Sequence, residues 1–278
     1  MSPEIEGGWV RANGVRLHVV RTGGAKPPIV LAHGFADSAR CWTSLVRRLA
    51  PRFDVIAYDA RGHGRSDAPA SRYDLAERTA DLLGLIAALD LERPLLMGHS
   101  MGGQTVARAA LALPGRARGL ILEDVGLSPR RAPPVRRARA EFPEWLAKLR
   151  AQSRDELIEL CRSSHPRWPD EDRAPWAESK LQLHDHAARL FEHPPSEPLS
   201  EALQRLDCPL LLLRADVADA SVRQRRQAVA RRLARTTLVH VPGTGHNVRR
   251  DDLPATLDAL DRFFGELGLS TQICDDSD

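Results

Sequence analysis

The stretch that decides the fold runs from Leu95 to Gly103 and reads Leu-Leu-Met-Gly-His-Ser-Met-Gly-Gly. Three apolar residues precede a Gly-x-Ser-x-Gly motif, and a helical pattern begins directly after the serine. Glycines on both sides of a serine suit a sharp, strained turn from strand to helix, because any Cβ there would clash. Such a turn exposes the hydroxyl of Ser100 and aims the amide of Met101 at the position where an oxyanion would develop. The stretch therefore predicts a nucleophilic serine at the carboxyl end of a buried strand.

Short apolar runs on both sides of this motif alternate with longer amphipathic segments. Glycine, proline, histidine or aspartate bounds each run, as is typical of buried parallel strands. The alternation predicts an α/β fold with a mostly parallel, eight-stranded sheet and helices on both faces. Trp9–Ala12 and Leu17–Val20 flank Asn13-Gly14, a dipeptide that favours a tight hairpin turn, so we expect the sheet to open with an antiparallel hairpin. The predicted parallel strands are Ile29–Ala32, Val55–Tyr58, Leu95–Gly98, Leu120–Glu123, Leu210–Leu213 and Leu238–Val241.

The alternation of strands and helices stops between residues 126 and 206. This segment has no strand-like run, and it is rich in proline and holds three of the five tryptophans. Short helices joined by turns at the prolines are the expected structure. We predict a core domain of residues 1–125 and 207–270, an inserted α-helical cap of residues 126–206, and a disordered tail of residues 271–278.

Two loops that follow other predicted strands complete the candidate site. His33-Gly34-Phe35 follows the first parallel strand, and we expect the amide of Phe35 to form the second half of the oxyanion hole. Pro242–Asn247 follows the last strand and is glycine-rich. His246 in this loop is placed to accept the proton of Ser100.

With these three motifs, almost all of the chain from Trp9 to Leu267 resembles the enzymes of the α/β-hydrolase fold, and the predicted cap is the part that matches least. The resemblance includes Asp59–Ser66, the Asp-Ala-Arg-Gly-His-Gly-Arg-Ser loop that such proteins carry after the fourth strand. We interpret this loop as architectural, since Asp59 and Arg61 can hold its turn by side-chain hydrogen bonds. The resemblance implies a triad of serine, acid and histidine with an oxyanion hole and without a cofactor.

The acid of the triad departs from the family's pattern, and the sequence leaves it open. Members of the family usually carry it after the seventh strand as Gly-x-x-Asp, but here the glycine position holds Ala215. Asp219 lies one position late for this pattern and Asp216 lies early. Asp124, 24 residues after the serine, occupies a position that some relatives use, although it could also cap a helix at the entry to the cap. Any of the three could orient the imidazole of His246.

A serine at the turn selects the chemistry. Dehalogenases and epoxide hydrolases of this fold need an aspartate there, so Ser100 implies an acyl-enzyme intermediate instead. The sequence predicts a cofactor-free serine hydrolase that cleaves a carboxylic ester, thioester or lactone of a small to medium, largely apolar molecule. The alternatives are a C–C bond hydrolase, a lactonase or a perhydrolase-like enzyme with the same triad, and a small-molecule receptor with vestigial hydrolase activity.

Composition and charge argue against other classes of protein. The 40 lysines and arginines nearly balance 37 acidic residues, so no strong field recruits nucleic acid or an anionic membrane. Apolar runs stay short of the roughly 18 residues of a membrane helix, and Met1–Gly8 lacks the pattern of a signal peptide. The four cysteines lack Cys-x-x-Cys spacing, which argues against a zinc knuckle or a compact disulfide scaffold. We expect a cytoplasmic monomer or homodimer whose partner is a small-molecule substrate, with no nucleic-acid partner and no membrane insertion.

Three weaker features have competing interpretations. His184-Asp185-His186 has potential metal ligands, but alternate positions on a helix face different ways, so no metal is expected. Five arginines between positions 130 and 139 form either a solvated face or a surface that steers an anionic substrate. Trp145, Trp168 and Trp176 either pack the core of the cap or line the acyl pocket.

Overall fold

The structure of the chain is a computed structural model that describes residues 6–127, 132–193, 195–217 and 219–269. The side chains of residues 6, 132–139, 220, 221 and 225 are not described. The five arginines between positions 130 and 139 and the predicted tail of residues 271–278 therefore lie outside what the structure describes.

Eight strands form one sheet in the order β1-β2-β4-β3-β5-β6-β7-β8. β1 and β2 form an antiparallel hairpin, β2 is antiparallel to β4, and every neighbouring pair from β4 to β8 is parallel. Asn13 and Gly14 in the hairpin turn both have positive φ, as a type I′ turn requires. The sheet confirms the predicted hairpin and the mostly parallel order. The strands are β1 (Glu6–Ala12), β2 (Val15–Arg21), β3 (Pro28–Ala32), β4 (Asp54–Tyr58), β5 (Leu95–His99), β6 (Gly119–Glu123), β7 (Leu210–Ala215) and β8 (Thr236–Val241).

Helices connect the strands and cover the sheet. The α-helices are α1 (Thr43–Leu49), α2 (Leu75–Ala88), α3 (Ser100–Leu111), α4 (Ala132–Arg150), α5 (Arg154–Ser164), α6 (Asp170–Leu181), α7 (Leu199–Ala202), α8 (Ala220–Ala230), α9 (Val248–Asp251) and α10 (Leu253–Glu266). Short 3-10 helices span Ala39–Trp42, Asp185–Phe191 and Leu203–Arg205.

The core lies on both faces of the central strands. Successive strand residues point to opposite faces, so Val30 and Leu96 pack toward α2 and α3, whereas Leu31 and Met97 pack toward α1 and α10. These side chains are fully buried, and each contributes about 1.5 to 3 kcal/mol relative to an exposed position. The two clusters fix the carboxyl ends of the parallel strands at one edge, where the candidate residues lie.

The described part of the segment between β6 and β7 consists of helices joined by turns and loops, and it contains no strand. α4, α5 and α6 pack against one another, and α6 also contacts α1 and the 3-10 helix Ala39–Trp42. This arrangement places α6 next to the loop that follows β3. The division into a core and a cap at residues 126 and 206 stays a prediction.

Candidate active site

Ser100 occupies the sharp turn between β5 and α3. Its φ is +49°, a left-handed conformation that costs a residue with a side chain about 1 kcal/mol or more. A Cβ on Gly98 would lie 2.6 Å from the backbone of Gly102, and a Cβ on Gly102 would overlap the carbonyl of Ala32. Glycine at both positions therefore lets the helix start directly against β3 and β5, which holds the strained serine in place.

The candidate nucleophile, base and oxyanion-hole residues meet at one cavity. The cavity has a volume of about 470 Å³ and lies at the carboxyl ends of the parallel strands. The amide of Met101 belongs to the first turn of α3, where backbone N–H groups have no partner within the helix. The residues predicted from the sequence that line the cavity are Ser100, Met101, Phe35 and His246.

A carboxylate contacts Nδ1 of His246, the imidazole nitrogen that is not needed to accept the proton of Ser100. Nδ1 of His246 is 2.7 Å from Oδ2 of Asp124, directly after β6. Burial alone would raise the pKa of Asp124, but the hydrogen bond from His246 and the charge of Arg214 lower the pKa below its ordinary value. The carboxylate is therefore ionised and accepts the proton of Nδ1, which leaves Nε2 free to take a proton from Ser100.

The two other candidate acids lie elsewhere in the loop after β7. Asp216 is exposed and accepts a hydrogen bond from the amide of Gly243 at 3.1 Å, so it ties this loop to the histidine loop. Asp219 is exposed, and its backbone carbonyl accepts hydrogen bonds from the first turn of α8. The geometry thus favours Asp124 over Asp219 and Asp216 as the partner of His246, because Asp124 already occupies Nδ1.

Buried groups that the sequence did not single out hold the histidine loop. Nε2 of His99 donates to the carbonyl of His246 at 2.9 Å, and burial lowers the pKa of His99 to about 4, so this ring is neutral. Glu123 forms a buried ion pair with Arg249 at 2.8 Å and also accepts the amide of Arg249 at 3.0 Å. The pair fixes α9 directly after His246. Only the position of His99 within the serine motif signalled such a role.

A second buried histidine braces the loop that carries Phe35. The amide of Ala60 donates to Nε2 of His33 at 2.9 Å, so Nδ1 carries the proton and donates to the carbonyl of Gly34 at 2.7 Å. Burial lowers the pKa of His33, which keeps the ring neutral in this role. The brace sets the backbone immediately before the amide expected in the oxyanion hole.

The wall of the cavity formed by α6 and α9 is charged. Nζ of Lys180 donates to the carbonyl of Ala36 at 2.6 Å and to Asp37 at 3.2 Å, and Arg250 contacts the same carboxylate at 3.1 Å. Burial alone would raise the pKa of Asp37, but Arg250 and Lys180 hold it well below its ordinary value. Lys180 and Arg250 thus share one anion, which Arg249 also approaches at 3.8 Å. No local pattern predicts this polar wall, because its residues are far apart in the chain.

The weaker sequence features take different places. In the described parts of the chain, no group of three or more histidines, cysteines or acidic residues is arranged to hold a metal ion. His186 contacts the carbonyl of Pro69 at 3.1 Å instead.

Trp176 lines the cavity, whereas Trp168 is buried and donates to Asp251 at 2.8 Å. Trp145 is partly exposed and does not line it. No described helix is long and apolar enough to span a membrane.

The chain shares sequence with known proteins. The model of the alpha/beta hydrolase family matches residues 29–259. N-formylmaleamate deformylase from Pseudomonas putida is 32% identical over 276 residues, which cover 96% of this chain and 97% of the relative. An epoxide hydrolase from Caballeronia sordidicola is 33% identical over 190 residues, or 66% of this chain and 53% of that relative.

A solved structure is similar along most of the chain. The crystal structure of an N-formylmaleamic acid deformylase from Pseudomonas putida superposes with a TM-score of 0.77 at 27% identity. The match covers 92% of this chain and 100% of the other. The similarity therefore includes both the sheet and the segment between β6 and β7.

Proposed function

The chain belongs to the alpha/beta hydrolase family and is a hydrolase, and from this premise we propose that it cleaves a carboxylic ester of a small molecule through an acyl-enzyme intermediate. One observation carries the proposal: Asp124 lies 2.7 Å from Nδ1 of a histidine that shares a cavity with the serine of the strained turn. This arrangement combines a nucleophile, a general base and a carboxylate that orients the base, which are the three groups that acyl transfer by serine needs.

The proposed reaction has two halves. In the first, Oγ of Ser100 attacks the substrate carbonyl carbon while Nε2 of His246 takes the hydroxyl proton. The amides of Phe35 and Met101 stabilise the oxyanion, and the leaving alcohol receives the proton from the imidazolium as the C–O bond breaks. In the second half, water loses a proton to His246, attacks the acyl-enzyme and releases the acid, and the proton returns to Ser100.

Asp124 supports both halves by charge and by orientation. Its carboxylate accepts the proton on Nδ1, which selects the tautomer with a free Nε2 and stabilises the imidazolium that forms during each half-reaction. The side chain of Asp124 is 12% exposed, so the interaction is only partly screened by water. This burial makes Asp124 a better acid for the triad than an exposed aspartate would be.

The epoxide hydrolase among the relatives does not alter this proposal. Epoxide opening on this fold needs an aspartate at the turn, because the covalent intermediate is an alkyl ester that water then hydrolyses. Residue 100 is serine. The lactone, thioester, C–C bond, perhydrolase-like and receptor alternatives share the fold, but no specific contact in the structure favours any of them.

Hydrolysis of an amide is the second candidate. The deformylase that is 32% identical over 96% of the chain is named for removing a formyl group from nitrogen. The same triad serves an amide, provided that His246 protonates the departing nitrogen. The two candidates therefore differ in the leaving group and share every residue of the proposed machinery.

A panel of matched substrates tests the proposal. Ethyl esters with acyl chains of one to six carbons are compared with the N-formyl and N-acetyl amides of a common amine, for wild type and Ser100→Ala. We expect turnover of at least one series by the wild type, and a loss of at least about 10³-fold in Ser100→Ala. Turnover that persists in Ser100→Ala, or none with either series, would contradict the proposal.

A further inference from the structure

Arg78 is a buried cation beside the proposed nucleophile. It lies on α2, is only 7% exposed and lines the cavity. Its Nη1 donates to the carbonyl of Met101 at 3.3 Å and to Oγ1 of Thr105 at 3.0 Å, and its Nε donates to the carbonyl of Tyr73 at 3.4 Å. The guanidinium thus rests on the first turn of α3, one residue from Ser100.

Other buried arginines of this protein have carboxylate partners. Arg61 contacts Asp81 at 2.6 Å, Arg249 contacts Glu123 at 2.8 Å, and Arg250 shares Asp37. Across the described residues, no carboxylate lies within ion-pair distance of Arg78. Burial lowers the pKa of Arg78 to about 10, so its guanidinium is still charged near neutral pH.

The second terminal nitrogen of this guanidinium is available to a ligand. Nη2 of Arg78 donates to no described residue, and it is not among the polar atoms that are sealed from the surface without a partner. Arg78 lines the cavity, and Nη2 is the one nitrogen of its guanidinium without an acceptor among the described residues. A buried charge without a partner is unfavourable unless a ligand supplies the opposite charge, and a planar guanidinium matches a carboxylate best.

The rest of the cavity wall adds positive potential. Lys180 and Arg250 share the single carboxylate of Asp37. Glu197 also lines the cavity, but it is held between Arg108 and Arg205, each at 2.6 Å. Among the described lining residues, no carboxylate without a cationic partner is left to repel an anion, and the low dielectric of the cavity strengthens its attraction for one.

We propose that Arg78 binds a free carboxylate of the substrate, so that the substrate class is a half-ester or half-amide of a short dicarboxylic acid. This inference rests on the proposed function. The carboxylate lies on Nη2 while the reacting carbonyl lies at Ser100, and the closeness of the two groups requires a short spacer. Phe35, Leu190 and Phe191 line the same cavity and offer the spacer an apolar contact. The expectation of a largely apolar substrate is thereby narrowed to an apolar spacer with an acidic end.

Matched substrates separate this role from a structural one. Monoethyl glutarate and ethyl pentanoate share a five-carbon acyl chain and differ in the free carboxylate. In Arg78→Gln we expect kcat/KM for monoethyl glutarate to fall about 10- to 100-fold, mainly through KM, while that for ethyl pentanoate changes little. Arg78→Lys keeps the charge and should keep part of the preference for the acid.

The control is Arg52→Gln, which removes a guanidinium that contacts Asp261 away from the cavity. It should leave both substrates unaffected. If Arg78 only supports the turn that carries Ser100, both substrates lose rate equally in Arg78→Gln, and that result overturns the proposal. An unchanged ratio of the two substrates in a folded Arg78→Lys and a folded Arg78→Gln also overturns it.

A binding experiment that needs no turnover makes the two proposals separable. Glutarate and its neutral analogue glutaramide are titrated calorimetrically into Ser100→Ala and into Ser100→Ala with Arg78→Gln. We expect glutarate to bind at least about tenfold more weakly without Arg78, and glutaramide to bind weakly to both. Equal glutarate affinities, or no binding to Ser100→Ala, overturn the proposal for Arg78. If glutarate binds through Arg78 but the protein turns over neither esters nor amides, the proposed function is wrong and the proposal for Arg78 stands.

Discussion

Replacing Asp124 by asparagine isolates the charge of the proposed acid from its shape. Asparagine is isosteric and tolerates the left-handed backbone that this position adopts, with φ of +41°. The substitution removes the negative charge that faces Nδ1 of His246 at 2.7 Å. It also offers an amide N–H to Nδ1, which favours the tautomer with its proton on Nε2. That tautomer cannot accept the proton of Ser100.

The size of the effect follows from the geometry of the pair. The side chain of His246 is 49% exposed and that of Asp124 is 12% exposed, so an effective dielectric constant near 20 is appropriate. Two charges at such close range then interact by about 4 kcal/mol, which corresponds to about 10³-fold in kcat. The wrong tautomer adds to this loss, and we expect kcat to fall by about 10³- to 10⁴-fold in total.

The assay is steady-state turnover of the best ester or amide, measured on variants whose folding is checked by thermal unfolding. Asp219→Asn and Asp216→Asn are the matched controls, because both remove one negative charge from the neighbouring loop. We expect each control to stay within about tenfold of wild type, since their carboxylates do not occupy Nδ1 of the imidazole. If Asp219→Asn loses about 10³-fold while Asp124→Asn stays within tenfold, the assignment of the acid is wrong.

Two further predictions concern stability. Gly102→Ala places a Cβ against the backbone carbonyl of Ala32, so we expect the free energy of unfolding in denaturant to fall by about 3 kcal/mol or more. The control is Gly8→Ala, where the new Cβ meets open space and the free energy of unfolding should change by less than about 1 kcal/mol. Equal losses in the two variants would contradict the expected clash at Gly102. The pKa of His99 is about 4 in the folded protein against 6.5 for the free side chain, so the unfolded chain binds the proton more readily. Acidification from pH 6.5 to 4 should therefore reduce stability by up to about 3 kcal/mol through this group. Thermal unfolding across that range should show a shallower loss in His99→Gln, and identical pH profiles would contradict it.

The sequence predicts the parts of the molecule that local rules determine. The glycines around Ser100 and the Asn13-Gly14 turn have steric requirements that neighbouring residues alone set, and both form as predicted. The short apolar runs predict the parallel strands for the same reason, since a strand buried on both faces needs continuous apolar side chains.

The partner of His246 depends on how two loops bend, which no local pattern encodes. Asp124 points at the imidazole because the backbone reverses at a positive φ directly after β6. In the loop after β7, the carboxylate of Asp216 accepts a hydrogen bond from the amide of Gly243 and so contacts the backbone of the histidine loop, not the imidazole. Spacing from Ser100 and from the seventh strand could therefore name three candidates without choosing among them.

The sequence does not predict the charged walls of the cavity, because the residues that form them are distant in the chain. Lys180 and Asp37 are 143 residues apart, and their contact exists only because α6 packs beside the loop after β3. In the sequence, Arg78 is one more polar residue of an amphipathic helix. Its contact with α3 exists only when α2 packs against α3. Arg78 is buried without a carboxylate partner among the described residues, which distinguishes it from the other described buried arginines, and this is a property of the packed structure.

The most direct test of the central claim is covalent labelling of the serine by a fluorophosphonate probe, read by intact mass and by peptide mapping. A serine activated by an adjacent base reacts with such a probe, whereas an ordinary surface hydroxyl does not. We expect one adduct per chain, located on Ser100, and no adduct in Ser100→Ala. A folded wild-type protein that takes up no label, or that carries the label on another residue, would contradict it.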